Sequence, residues 1–313
     1  MKPFIKRRQM RLLILLACAG VLFCTGSVNA QGIGSYCRTQ VIVPDKVGYE
    51  GKNDTCKDRF TSVPDALKKL ASADVVYLGE THDNPEDHKI QLQIIQSLQQ
   101  RNRKIAIAME MFVQPSQNFL NRYLAGKISE QELVEQSNYN QWGYPWEYYA
   151  PILRFAKEKK LPVVALNIPI EITRQVSRSG LESLTPQQRK LIPPFEEIRT
   201  DNAQYRQLLA AAFGQHQHSG HGNSKDFERF FLAQVLWDET MAEGVAKFIK
   251  ANPNYQVVVL AGSGHIIYGY GIPSRVERRL QDKQLVQRSV LLSSPQDESV
   301  DSKDAIADFI WQQ

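Results

Sequence analysis

Four short apolar runs, each ending at a glycine or a polar residue and separated by helix-length segments, constrain this chain more than any other feature. They are Asp74-Val75-Val76-Tyr77-Leu78 before Gly79, Lys104-Ile105-Ala106-Ile107-Ala108-Met109 before Glu110, Pro162-Val163-Val164-Ala165-Leu166 before Asn167, and Gln256-Val257-Val258-Val259-Leu260-Ala261 before Gly262. Runs of this length without polar alternation read as strands buried on both faces, which occurs in parallel sheets covered by helices. The intervening segments carry helix signals. Asn84-Pro85-Glu86-Asp87 supplies an N-cap, a proline at N1 and acids in the first turn. Ser129-Glu130-Gln131-Glu132 is a capping box. The fold class expected is α/β, a mainly parallel sheet flanked by helices.

Two regions depart from this rhythm. Residues 170–244 show helix signals but no strand and read as a smaller helical sub-domain inserted into the α/β domain of residues 63–169 and 245–292. Leu285 to Leu292 reads as a fifth strand at a sheet edge. Residues 293–313 form a polar tail in which Phe309, Ile310 and Trp311 suggest a short docking helix.

The chain has 313 residues, 42% apolar and 23% charged, with formal charge +5. That composition suits a globular fold with a sizeable core. The positive charge belongs to the N-terminus: Lys2, Lys6, Arg7, Arg8 and Arg11 lie within residues 1–30, which hold no acid. Removing those five of 38 basic residues leaves 33 against 33 acidic ones, so net charge makes no case for a nucleic-acid or anionic-membrane partner. Residues 1–30 themselves read as a secretory signal peptide: basic residues, an apolar run from Leu12 to Cys24, and Val28-Asn29-Ala30 at the cleavage position. Leu15-Leu16-Ala17-Cys18 is a weaker lipoprotein-like alternative, and a lipid anchor there would be the route to membrane association. The expected location is exported, periplasmic or anchored facing the periplasm. Cleavage leaves Cys37 and Cys56, which in an exported protein read as one disulfide pinning an N-terminal extension of residues 31–62. Closing that segment would stabilise the fold by about 3 kcal/mol.

Strand ends concentrate the chemistry. Gly79-Glu80-Thr81-His82, Glu110 and Gly262-Ser263-Gly264-His265 each follow an apolar run, and in a parallel sheet all such ends share one edge, where ligands bind. Two imidazoles and two carboxylates on one rim suit a divalent metal (His82, Glu80, Glu110, His265) or acid–base work beside a ligand. The bland alternative is that the histidines satisfy loop backbone groups.

Leu78-Gly79-Glu80-Thr81-His82-Asp83, Ala108-Met109-Glu110-Met111-Phe112, Trp237-Asp238-Glu239-Thr240-Met241-Ala242 and Ala261-Gly262-Ser263-Gly264-His265, in that order, resemble the ChaN-like haem-binding uptake family of the TIKI/TraB superfamily. The resemblance runs from about Ser72 to Leu292. It implies an α/β domain with a smaller helical one, and non-covalent capture of haem or a related tetrapyrrole between sheet rim and insert. It also links haem to tyrosine ligation. Tyr205 in the insert is the preferred ligand, with Tyr268 and Tyr270 after the second G-x-x-H and Tyr144, Tyr148 or Tyr149 as alternatives; His265 and His82 are imidazole candidates. For each tyrosine, a core residue with a bonded hydroxyl is the competing reading. A homodimer is compatible with this reading. The superfamily's protease-like branch implies an alternative, a metal-dependent hydrolase with His82 and His265 on the metal and Glu80 or Glu110 activating water. A degenerate member serving only as an adaptor is a third.

His216-Gln217-His218-Ser219-Gly220-His221 reads as a solvated loop, with capture of a metal or haem iron as its alternative. The aromatic cluster Gln141 to Tyr149 reads first as packing, with lining of the slot or capping of the sheet as its alternatives. No C-x-x-C-H, G-x-S-x-G, P-loop or G-x-G-x-x-G follows a strand, which removes covalent c-type haem, conventional serine hydrolases and nucleotide sites.

Overall fold

The computed structural model describes residues 41–42, 60–101, 104–216, 224–293 and 305–312. The signal segment, Cys37, Cys56, His218 and His221 lie outside the described residues. In chain order the strands are β1 (Val41–Ile42), β2 (Phe60–Thr61), β3 (Val75–Glu80), β4 (Ile105–Val113), β5 (Val163–Asn167), β6 (Gln256–Gly262), β7 (Gln287–Leu291) and β8 (Phe309–Trp311). The helices are α1 (Val63–Ala71), α2 (Pro85–Gln99), α3 (Gln117–Leu124), α4 (Glu130–Gln136), α5 (Trp146–Lys159), α6 (Ile170–Ser179), α7 (Pro186–Arg189), α8 (Ala203–His216), α9 (Ser224–Ala251) and α10 (Ile272–Leu280).

The four apolar runs become β3, β4, β5 and β6, side by side and parallel in the sheet order β2-β1-β8-β7-β3-β6-β4-β5. Every residue of β3 and β6 is buried, as a strand covered on both faces requires. Helices α1, α2 and α5 cover one face through Leu70, Ile94, Ile95, Leu98, Ile152 and Leu153; α9 and α10 cover the other through Met241, Val245, Ile272 and Val276. The expected caps form. Asn84 accepts from the Glu86 N–H at 3.1 Å, and Ser129 and Glu132 close a reciprocal box. Helices α6 and α8 and the start of α9 build a separate apolar cluster around Ile172, Val176, Tyr205, Phe231 and Val235. Helix α9 continues unbroken past residue 244 to Ala251, so one helix serves both the insert and the sheet.

Three expectations are corrected. Strand β7 is interior, parallel to β3 on one side and β8 on the other. The tail forms a strand instead of a docking helix: three consecutive aromatic or β-branched residues cannot make an amphipathic helical stripe, but they fit beside Val290 and Leu291. Residues 31–62 are more than an extension, because β1 within them pairs antiparallel with β8 and β2 pairs antiparallel with β1.

The sheet ends at β5, whose open edge is occupied by one side chain. The Gln117 amide donates to the Val163 carbonyl and accepts from the Ala165 N–H, both at 2.8 Å. It satisfies edge groups that would otherwise invite another strand.

Candidate ligand and acid–base site

Strands β3, β4 and β6 deliver Glu80, Glu110 and Gly262 to the same edge, with His82 and His265 in the turns that follow. The pairing of β4 with β5 shifts between Met109 and Val113, placing an irregularity at Glu110. Such bulges re-aim a side chain at a rim. Here Glu110 turns its carboxylate to the backbone of the neighbouring strand, and its Oε2 accepts from the Gly262 N–H at 2.8 Å. Two close approaches explain the glycines. A Cβ at Gly262 would stand 2.8 Å from His82 Nε2, and one at Gly271 would stand 2.2 Å from the His265 carbonyl oxygen.

The first histidine is backed by one carboxylate. His82 Nδ1 lies 2.7 Å from Glu80 Oε1, and the same carboxylate accepts from the Tyr149 hydroxyl (2.5 Å) and the Gln91 amide (2.6 Å). A carboxylate on Nδ1 fixes the tautomer and leaves Nε2 as the reactive atom. That atom faces Gly262, and the side chain keeps 18% of its exposure. Burial opposes protonation of this ring, but the Glu80 bond and the Glu110 and Glu80 charges outweigh it and raise its pKa above the ordinary imidazole value.

The second histidine is held between two carboxylates. His265 Nδ1 is 2.7 Å from Asp238 Oδ1 and its Nε2 is 3.5 Å from Glu110 Oε1, with all three side chains buried. Desolvation works against charge, yet Glu110 and Asp238 push the His265 pKa up to about 10. Reciprocally, burial would raise the Glu110 carboxyl, but the His265 charge and bond, with help from His82 and the Gly262 N–H, bring it down to about 2. The geometry favours the protonated ring, with Nδ1 directed at Asp238 and Nε2 towards Glu110.

Tyr205, expected opposite the histidines, is fully buried and donates its hydroxyl to Asp238 Oδ2 at 2.5 Å. Burial and the Asp238 charge raise its pKa well above the ordinary phenol, and through Asp238 it stands behind His265. Tyr149 does the same behind Glu80. Tyr268 is different. It lies half-buried in the turn after His265, stacks on Tyr270 at 5.4 Å, and holds a left-handed backbone (φ 56°) that a bulky residue seldom adopts. Trp142 and Tyr144, also half-buried, place their rings 4.9 and 5.1 Å from His82. Among the described residues, no group of three or more His, Cys, Asp or Glu side chains is arranged to hold a metal ion.

Sequence reasoning missed Asp238 and His88. The segment Trp237 to Ala242 carries part of the family resemblance, but nothing in it singles out Asp238, which α9 brings to the rim from the insert side. His88 is buried on α2, its Nε2 3.1 Å from the His82 carbonyl oxygen and its ring stacked on Tyr148. No spacing rule connects it to Glu80.

A parallel α/β sheet with a helical insert, carrying two carboxylate-backed histidines on the rim between them, defines the class of protein. Within that class the chain belongs to the haem-binding uptake family, Tiki superfamily, ChaN, whose model matches residues 66–276. A structure of cofacial haem binding to ChaN of Campylobacter jejuni superposes with a TM-score of 0.64 at 21% identity, covering 87% of this chain and 96% of that one. The similarity extends to the chloroplastic protein RETICULATA-RELATED 5 of Arabidopsis thaliana, 26% identical over 262 residues. Those residues are 78% of this chain and 34% of the plant protein, so the chain spans about a third of that relative.

Proposed function

We propose that the protein is an exported haem-binding protein of a haem or iron uptake system, capturing haem or a related tetrapyrrole without covalent attachment. Membership of the haem-binding uptake family carries this reading. The donor chemistry fits it in a particular way. Tyr205 and His265 have their polar atoms directed at buried carboxylates, whereas Tyr268 combines partial exposure, a strained backbone and a place on the rim between sheet and insert. Tyr268 is therefore the residue assigned to the iron, since phenolate is an established haem ligand type. The half-buried rings of Trp142 and Tyr144 supply apolar surface for a flat macrocycle. His82, bonded to Glu80 through Nδ1, presents its Nε2 to Gly262 and is an imidazole candidate.

The test is a haem titration of the full chain followed by absorption. A saturable Soret shift is expected, weakened at least tenfold in Tyr268→Phe and little changed in Tyr205→Phe. Equal binding by wild type and Tyr268→Phe would remove the ligand assignment, and absence of any saturable shift would remove the haem reading.

The His82–Glu80 pair favours a second reading, a hydrolase of an ester or amide in which His82 is the general base, held by Glu80, with Glu110 on the same rim. Turnover of an ester or amide, abolished by His82→Ala with ligand affinity retained, would support it.

A further inference from the structure

The edge of the sheet opposite the histidine rim has its own electrostatic character. Helices α1, α2, α5 and α9 lead directly into β3, β4, β5 and β6, so their C-termini and the starts of four adjacent parallel strands share that edge. The described residues closing these helices and entering these strands carry Lys68 and Lys69, Arg101 and Lys104, Lys157, Lys159 and Lys160, and Lys250. Only Asp74 and Glu158 oppose them there, and Glu158 pairs with Lys159 at 2.8 Å. Eight basic residues against two acids leave a formal excess of six.

Basic residues belong at helix C-termini, where they complement the backbone dipole, so the ordinary explanation must be weighed first. Four helix ends present about half a negative charge each, roughly two charges in all. The side chains exceed that demand threefold. Net charge concealed this, because the remainder of the chain after residue 30 balances it and the opposite rim carries the buried carboxylates Glu80, Glu110 and Asp238.

The composition of the face narrows the partner. Seven of the eight cations are lysines, which act as hydrated point charges; recognition of nucleic acid favours the planar fork of arginine. Four of the lysines lie over aromatic rings: Lys69 on Phe309, Lys104 on Tyr255, Lys157 on Tyr123 and Lys159 on Phe155, at 4.3 to 6.0 Å. Tyr255 and Phe155 are half-buried, so the face mixes cations with aromatic surface. Long cationic stems laid on apolar rings, with the charge kept in water, suit a membrane–water interface. We propose that this face docks on an anionic phospholipid surface, leaving the histidine rim directed away from the bilayer. The proposal is independent of haem binding.

Vesicle flotation of the full chain tests it, comparing phosphatidylcholine vesicles with vesicles containing phosphatidylglycerol. The variant Lys104→Glu/Lys159→Glu/Lys160→Glu changes three exposed side chains, and its fold is checked by thermal melting. A juxtamembrane cation contributes about fivefold to partition onto an anionic surface. The variant is therefore expected to lose at least tenfold in partition onto the anionic vesicles, with partition onto pure phosphatidylcholine unchanged and the wild-type excess disappearing at high salt. Equal partition of variant and wild type onto anionic vesicles would overturn the proposal, since residues 1–30 would then account for any binding. So would an equal loss on both vesicle types. Tighter, equally lysine-dependent binding to a single-stranded oligonucleotide would identify a polyanion site of another class.

Discussion

The two G-x-x-H turns are alike in sequence and unlike in chemistry. Both place a histidine just beyond a buried parallel strand, and both give its Nδ1 a carboxylate at 2.7 Å backed by a tyrosine hydroxyl at 2.5 Å. The difference lies on the other nitrogen. His265 Nε2 meets Glu110 and the ring is drawn towards its charged form, whereas His82 Nε2 meets the bare Cα of Gly262 and its side chain keeps some exposure. One motif has become an internal electrostatic anchor and its twin has kept a reactive atom. What decides between them is Glu110, supplied by the distant strand β4 and not by the motif.

The sharpest way to break this contrast is to remove a carboxylate from each side. Glu110→Ala or Asp238→Ala strands a buried imidazolium and is expected to cost about 3–5 kcal/mol in urea denaturation. Glu80→Ala is expected to cost less, about 1.5–3 kcal/mol, because the His82 side chain keeps 18% exposure, through which water can reach its ring. Equal losses at the two sites would mean that they are energetically equivalent.

pH separates them next. The Glu110 carboxyl lies below its unfolded value, so its contribution is present above about pH 4.3 and is lost as pH falls towards 2. The His265 pKa lies above its unfolded value, so its contribution is complete below about pH 6.5 and declines as pH rises towards 10. From this pair, stability is expected to be greatest between about pH 4.5 and 6.5, falling on the alkaline side by at most about 1.4 kcal/mol per pH unit. His265→Gln should flatten that alkaline limb. A wild-type limb already flat from pH 6.5 to 9 would show that the ring is not held protonated.

The smallest effect on stability and the most local one belongs to Gly262→Ala. The new methyl meets His82 Nε2, and the flexible imidazole can move for about 1–2 kcal/mol. Histidine-directed acylation should then report a changed reactivity at His82 with His265 untouched. Unchanged His82 reactivity would mean that its Nε2 does not face this glycine.

Much of the frame was legible because buried parallel strands write themselves as uninterrupted apolar runs. Four such runs, ended by Gly79, Glu110, Asn167 and Gly262, located the sheet and the rim together. Edge elements were not legible: β1, β2 and β8 are two or three residues long, and their pairing depends on partners up to 270 positions away. The orientation of Tyr205 is not legible for a related reason. A tyrosine in a helical insert shows its residue type but not its facing direction, and here the hydroxyl turns inward to a charge on α9. His88 had no signal at all, since its role arises from the packing of α2 under the His82 turn.

The position of β8 has a consequence for how the molecule comes together. Residues 41–42 hydrogen-bond to the sheet through residues 310–311, which separate them from every other strand except β2. The first and last described strands therefore form a clasp that cannot fasten until residue 311 has emerged. A chain leaving a ribosome or a translocation pore amino-end first would carry an open hook at its front throughout synthesis or passage. A protease that trimmed the far end before residue 309 would loosen the beginning of the protein as well.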